Sequence, residues 1–173
     1  MNASAYLLIY NLIESTMRNA IESIFSELQN QGISFDNLRP ELQKIVLRNL
    51  NHKNSDKVCQ KIVDISIDII TVGFDKEKLF SGNIDVKKIK KIAQEYGFSP
   101  KTKIDSSDIL KVKDNRNELA HGMRTFGEVG KEITADKLME IKNKVVEYLR
   151  QILENIEIYL DNKEYLDSST NTP

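Results

Sequence analysis

The sequence predicts an all-α protein, a helical bundle closed by a long C-terminal helix. Three observations carry that expectation. Apolar residues recur at every third or fourth position through several long stretches, which is the period of one helix face. Only 7 glycines and 3 prolines interrupt the 173 residues, and there is no Trp, a composition that favours helices over sheet. No segment reads as a convincing strand, and there is no internal repeat. A chain of this length is one domain's worth and can bury a real core; we assign residues 1–166 to a single domain and 167–173 to a disordered tail.

The elements follow in order. A first helix is expected from Ala3 to Gln29, because Leu7, Tyr10, Ile13, Met17, Ile21, Ile24 and Leu28 form one apolar stripe. Gly32 allows a turn, and "DNLRPELQKIVLRNLNH" reads as a short second helix with Pro40 near its first turn. "NSDKVCQKIVDISIDIITV" reads as a third, and "GFDKEKLFSGNI" as a loop. "DVKKIKKIAQEYGF" is a short basic helix ended by Gly97, with "SPKTK" as connector. Asp105 or Ser106 can cap the next helix, which runs to His121 with Gly122 just beyond its end. A loop containing Gly127 and Gly130 follows. Thr134 then starts the last long helix, with Leu138, Ile141, Val145, Tyr148, Ile152, Ile156 and Tyr159 on its apolar face, and "DSSTNTP" forms the tail.

Charge and cysteine content narrow the functional classes. Lys plus Arg (25) nearly balances Asp plus Glu (26), which argues against bulk electrostatic capture of nucleic acid. The single cysteine, Cys59, can form neither an intrachain disulfide nor a thiolate cluster, so a buried side chain in a reduced, cytoplasmic protein is expected. "ASAYLLIYNLI" is not read as a secretion signal: no Lys or Arg precedes Arg18, and the small residues come before the apolar run. No apolar stretch approaches the roughly 20 residues of a membrane span. CxxC, HExxH, P-loop and GxGxxG patterns are all missing from the sequence, so no metal or cofactor is expected.

The segment that bears on function is "DNRNELAHGMR", Asp114 to Arg124. Metal-free cleavage of RNA requires a general acid/base that titrates near neutrality, which suits histidine. It also requires cationic donors for the charge that builds on phosphate, which suits the arginine fork. Arg116 and His121 supply both, and Asn117, one turn before His121, can orient the imidazole or donate to a phosphate oxygen. Within one helix the two do not share a face, since five residues turn it about 140° beyond a full revolution. Arg116 falls on the stripe of Ile109, Val112, Leu119, Ala120 and Met123, so it needs a polar partner or must face another chain. Two copies of the helix meeting across a two-fold axis would gather two arginines and two histidines round one cleft. The plainer alternative is a helix-terminal cation set against the helix dipole, with Arg116 paired to Asp114 or Glu118.

The string "RNELAHG" resembles the R-polar-x-x-x-H signature of the HEPN superfamily, with Arg116, Asn117 and His121 as its arginine, polar residue and histidine. The layout is also similar to stand-alone prokaryotic HEPN proteins: several helices, the motif late in the chain, then a long last helix. The resemblance implies a metal-independent endoribonuclease, a symmetric homodimer with a composite site. Many such members are toxins of toxin–antitoxin or abortive-infection systems, held by an antitoxin partner. HEPN toxins neutralised by adenylylation often carry a tyrosine two positions after the histidine; Met123 stands there, so a different antitoxin or regulator is implied. The rival reading is a non-catalytic HEPN module that binds nucleotide, RNA or a partner protein.

Other candidates are peripheral. Glu14 and Arg18, four apart in the first helix, are expected to form a salt bridge; the alternative is that Glu14 lines the site and raises the His121 pKa. Between Lys87 and Arg124 ten Lys/Arg face five Asp/Glu, most densely at Lys87, Lys88, Lys90 and Lys91. That is read as a solvated face or as a phosphate-tracking stripe, with Lys111, Lys113 and Arg124 as candidate RNA-backbone contacts. Arg48 and His52 in "RNLNH" repeat the motif one residue short and are read as surface.

Overall fold

The computed structural model describes residues 2–51 and 84–168. The third expected helix, the loop before Ile84, Cys59, His52 and residues 169–173 lie outside the described residues. Six α-helices are seen there: α1 (Asn2–Asn30), α2 (Pro40–Asn51), α3 (Val86–Tyr96), α4 (Ser107–Ala120), α5 (Phe126–Lys131) and α6 (Ala135–Asp161). A 3-10 turn at Phe35–Asn37 leads into α2. No named strand occurs among the described residues, and the only pairing outside helices is an isolated antiparallel bridge between Leu38 and Leu166. The protein is all-α, as the periodicity predicts.

α1 is the axis of the core. Its stripe residues Tyr10, Ile13, Met17, Ile21, Ile24 and Leu28 are buried, and it packs against α4, α5 and α6. Each such side chain contributes roughly 1.5–3 kcal/mol by leaving water. α6 runs beside α1 in the same direction. Asn2 Nδ2 donates to Ile133 O (2.8 Å) just before α6 starts, and the segments after the two helices meet where Arg39 N donates to Tyr165 O (2.9 Å). All seven expected stripe residues of α6, Leu138 through Tyr159, are buried. α2 packs on α3, and α4 on α6.

Helix ends explain the boundaries. Thr134 Oγ1 accepts from Lys137 N (3.2 Å) and starts α6. Gly97 ends α3 with φ +92°, a left-handed conformation that costs a residue with a Cβ about 1–2 kcal/mol. At the start of α4 Ser106 holds the cap position without a side-chain cap bond. Asp105 bonds to the first helical residue instead, accepting from Ser107 N (3.0 Å) and Ser107 Oγ (2.7 Å). At the other end of α4, Gly122 adopts φ +66°. There Gly122 N donates to Leu119 O (3.3 Å) and Met123 N to Glu118 O (2.9 Å), the paired bonds of a Schellman turn.

Two expectations need correction. The segment with Gly127 and Gly130 is the helix α5, started by a reciprocal capping box between Thr125 and Glu128; two glycines in six residues hide it from a propensity argument. Ala120 and Met123 are exposed, not part of a buried stripe, because α4 stops at Ala120 and Gly122 turns the chain away. Near the C-terminal end of the described residues, Asp167 N donates to Asn37 O (2.9 Å).

The left-handed glycines that end α3 and α4 differ in what surrounds them. A Cβ on Gly122 would meet nothing within 4 Å, whereas one on Gly97 would collide with the guanidinium of Arg39. Gly122→Ala should therefore cost about 1–2 kcal/mol, and Gly97→Ala the same strain plus the loss of the Arg39 bonds to Gly97 O and Glu164 O as that side chain swings aside, read as the difference between their thermal melting midpoints.

Candidate functional site

The motif residues occupy the last turn of α4, where that helix lies against α1. Ile109, Val112 and Leu119 bury its core-facing side, and Arg116 falls among them in angle. Its guanidinium is accommodated in two ways. The Cζ atom lies 4.6 Å from the centroid of the Tyr10 ring on α1, within cation–π range. Nη1 donates to Asn117 Oδ1 at 3.0 Å. Arg116 is half-buried and Tyr10 is 0% exposed, so the arginine lies over a ring that the rest of the core closes in. The requirement for a polar partner is met inside the chain, by a neutral amide and an aromatic face.

Asn117 serves the arginine directly. Its main-chain oxygen accepts from His121 N at 3.0 Å, the last regular turn of the helix. By helical angle Asn117 and His121 lie about 40° apart, so this asparagine bonds the arginine while sharing a face with the histidine. His121 itself is exposed at the C-cap. The alternative pairings of Arg116 do not occur: Glu118 pairs with Arg124 (3.4 Å) and Asp114 with Lys113 (3.7 Å).

The peripheral candidates have intrachain partners. Glu14 Oε1 pairs with Arg18 Nη2 at 2.9 Å, the expected i,i+4 bridge. Lys113 Nζ lies 3.1 Å from Asp85 Oδ2, and Arg124 bonds the carboxylates of both Glu118 and Glu132. Contact of Lys113 or Arg124 with an RNA backbone would have to compete with these carboxylates. Lys111 lines a groove of about 400 Å³ with Tyr6, Asp114, Glu118, Arg124 and Glu132. That groove lies about 140–160° around α4 from Arg116. Its charged lining is mixed, Asp114, Glu118 and Glu132 against Lys111 and Arg124, and burial, then Asp108 and Glu132, push the Tyr6 hydroxyl pKa up. On α3, Lys87, Lys90 and Lys91 are exposed, and Lys91 sits 3.9 Å from Glu95.

Two residues that sequence reasoning left as ordinary structure hold the site in place. Tyr10 reads as one more member of the α1 stripe, and nothing local reveals that α4 lays a cation over it. Asp85 carries a clearer signal, an acidic residue just before a helical run. Its Oδ1 accepts from Lys88 N (2.9 Å), capping α3, while Oδ2 takes Lys113. Among the described residues no group of three or more His, Cys, Asp or Glu side chains gathers as a metal-ligand set. No helix among them is long and apolar enough to cross a membrane.

An all-α bundle with an arginine–polar–histidine motif at the end of α4, ahead of its long last helix, defines a HEPN-type domain. The family model for the HEPN_MAE_28990-like HEPN domain matches residues 1–165, and the chain belongs to that family. No curated protein and no solved structure matches it.

Asp85 also gives a test of how α4 is held. Burial works against its charged form, but the Lys88 N–H and the Lys113 ammonium outweigh it and hold the carboxyl below its ordinary 3.8. A lowered folded pKa contributes stability that is present above the unfolded value and is lost as pH falls through the folded one. Asp85→Ala should cost about 1–2 kcal/mol at neutral pH. Denaturant melts should show the gap to wild type narrowing below about pH 4.

Proposed function

We propose that the chain is a metal-independent endoribonuclease, the toxin of a toxin–antitoxin or abortive-infection system, working as a homodimer. One observation carries the reading. An exposed histidine ends a helix whose last turn also presents an arginine held by neutral partners. A carboxylate would neutralise that arginine; an amide and a ring leave its charge available to an anion.

The reaction assigned to these residues is attack by a ribose 2′-hydroxyl on the adjacent phosphorus. His121 takes the 2′-hydroxyl proton, the O2′–P bond forms, and the P–O5′ bond breaks. The departing 5′-oxygen receives a proton from an imidazolium, leaving a 2′,3′-cyclic phosphate. Arg116 meets the charge that grows on the non-bridging oxygens, and Asn117 keeps it in place. In-line attack puts the entering O2′ and the departing O5′ on opposite sides of the phosphorus, so one imidazole does not serve both in the same event, and Arg116 and His121 project about 140° apart on one helix. A second copy across a two-fold axis supplies the other pair. Met123 and Phe126, both exposed just beyond the end of α4, offer that copy an apolar surface. Met123 at the position two after His121 cannot accept a nucleotide as a tyrosine would, so the antitoxin acts by another route.

Expression in a bacterial host should arrest growth with wild type and not with His121→Ala, and total RNA should carry new ends only in the former. Harmless growth with both, over RNA that the purified chain also leaves intact, favours the binding-module reading. Arg116→Ala should raise the barrier by roughly 2–4 kcal/mol, about 30- to 900-fold in rate. Cleavage should be unchanged by EDTA; strong inhibition contradicts the metal-free mechanism.

A further inference from the structure

A guanidinium at a half-buried position can be held by a carboxylate, by neutral acceptors, or by an aromatic face. The three are not equivalent for a cation that must meet an anion. A carboxylate fixes the group and cancels its charge. An aromatic face fixes the plane of the group and leaves the in-plane N–H fork directed outward at its edge. Arg116 is held over the Tyr10 ring at 4.6 Å and by the Asn117 amide at 3.0 Å.

The ring is itself anchored. Tyr10 is 0% exposed, and its hydroxyl accepts the Ile84 N–H at 3.0 Å. The next residue, Asp85, takes Lys113 at 3.1 Å, and Lys113 lies one turn before Arg116 on α4. The chain entering α3 is thus joined to α4 twice, through Asp85 to Lys113 and through Ile84 and Tyr10 to Arg116. This arrangement separates two tasks within one side chain: the hydroxyl ties the chain entering α3 to α1, and the ring face, packed in the core, holds the arginine.

We infer that Tyr10 is a positioning residue for Arg116, setting the plane and reach of the guanidinium that engages phosphate. The inference rests on the reading of Arg116 as the phosphate-binding cation. Tyr10 touches no substrate. Its contribution is to deliver the fork in the orientation the transition state needs, so it acts on turnover and not on capture of RNA.

The test compares Tyr10→Phe with Tyr10→Leu. Phe keeps the ring and should retain kcat within about twofold, while Leu removes the ring face and should lower kcat about tenfold with KM little changed. Equal losses in the two variants, a loss confined to KM, or wild-type turnover in Tyr10→Leu would each overturn the assignment. A second measurement needs neither activity nor a variant that folds. The Arg116 side-chain protons of the wild-type protein should show an upfield ring-current shift in NMR, as their position over the Tyr10 ring requires. Unshifted Arg116 protons in wild type would overturn the inference whatever the enzymology. If the chain proves inactive on RNA, the reaction assignment fails on its own, and the NMR result still decides the role of Tyr10.

Discussion

α4 places a full positive charge on the side of the helix that the bundle needs for packing. Ile109, Val112 and Leu119 point into the core, and Arg116 falls among them. A cation in that position without compensation would cost several kcal/mol. The fold compensates without using an acid: the Tyr10 ring takes the face of the guanidinium and Asn117 takes one N–H. That choice keeps α4 close against α1 while the charge stays chemically available. The hydrogen bond that anchors Tyr10, the Asp85 clamp on Lys113 and the burial of the α1 stripe all serve to hold α4 in register over that ring.

The other half of the motif obeys the opposite rule. His121 stands where α4 ends and Gly122 reverses the chain, outside the packed stripe and open to solvent. A proton-transfer group benefits from access, and a charge-stabilising group benefits from being fixed. Under the proposed function the five-residue spacing would satisfy both, with Arg116 on the core side of the helix and His121 at its end. It also means that one copy does not present the two as a pair on a shared face, which is the geometric reason for a two-copy site in the proposed function.

Much of the fold is legible in the sequence because it is written in local periodicity and local caps. The α1 and α6 stripes, the glycine ends of α3 and α4 and the Thr134 cap all follow from residues within a few positions of one another. α5 was hidden, although Thr125 and Glu128 spell a capping box, because Gly127 and Gly130 outweigh it in any propensity count. The site was half legible. The spacing of Arg116, Asn117 and His121 and the need for a partner at Arg116 can be read directly, and so can the Glu14–Arg18 bridge. The identity of that partner cannot, because Tyr10 looks like any other stripe residue until α1 and α4 are packed. Nor does sequence reveal that Lys113 and Arg124 are engaged by Asp85, Glu118 and Glu132, since surplus charge counted along a chain ignores partners from other helices.

The central claim is that His121, with Arg116, breaks RNA through the 2′-hydroxyl. Its most direct test is the chemistry of the ends. Purified wild-type protein and His121→Ala would each be incubated with a defined RNA, and the upstream fragments analysed by mass. The account predicts 2′,3′-cyclic phosphate ends with wild type, none with a substrate whose 2′-hydroxyls are replaced by hydrogen, and none with His121→Ala. Fragments ending in a 3′-hydroxyl, or cyclic ends produced equally by His121→Ala, would contradict it.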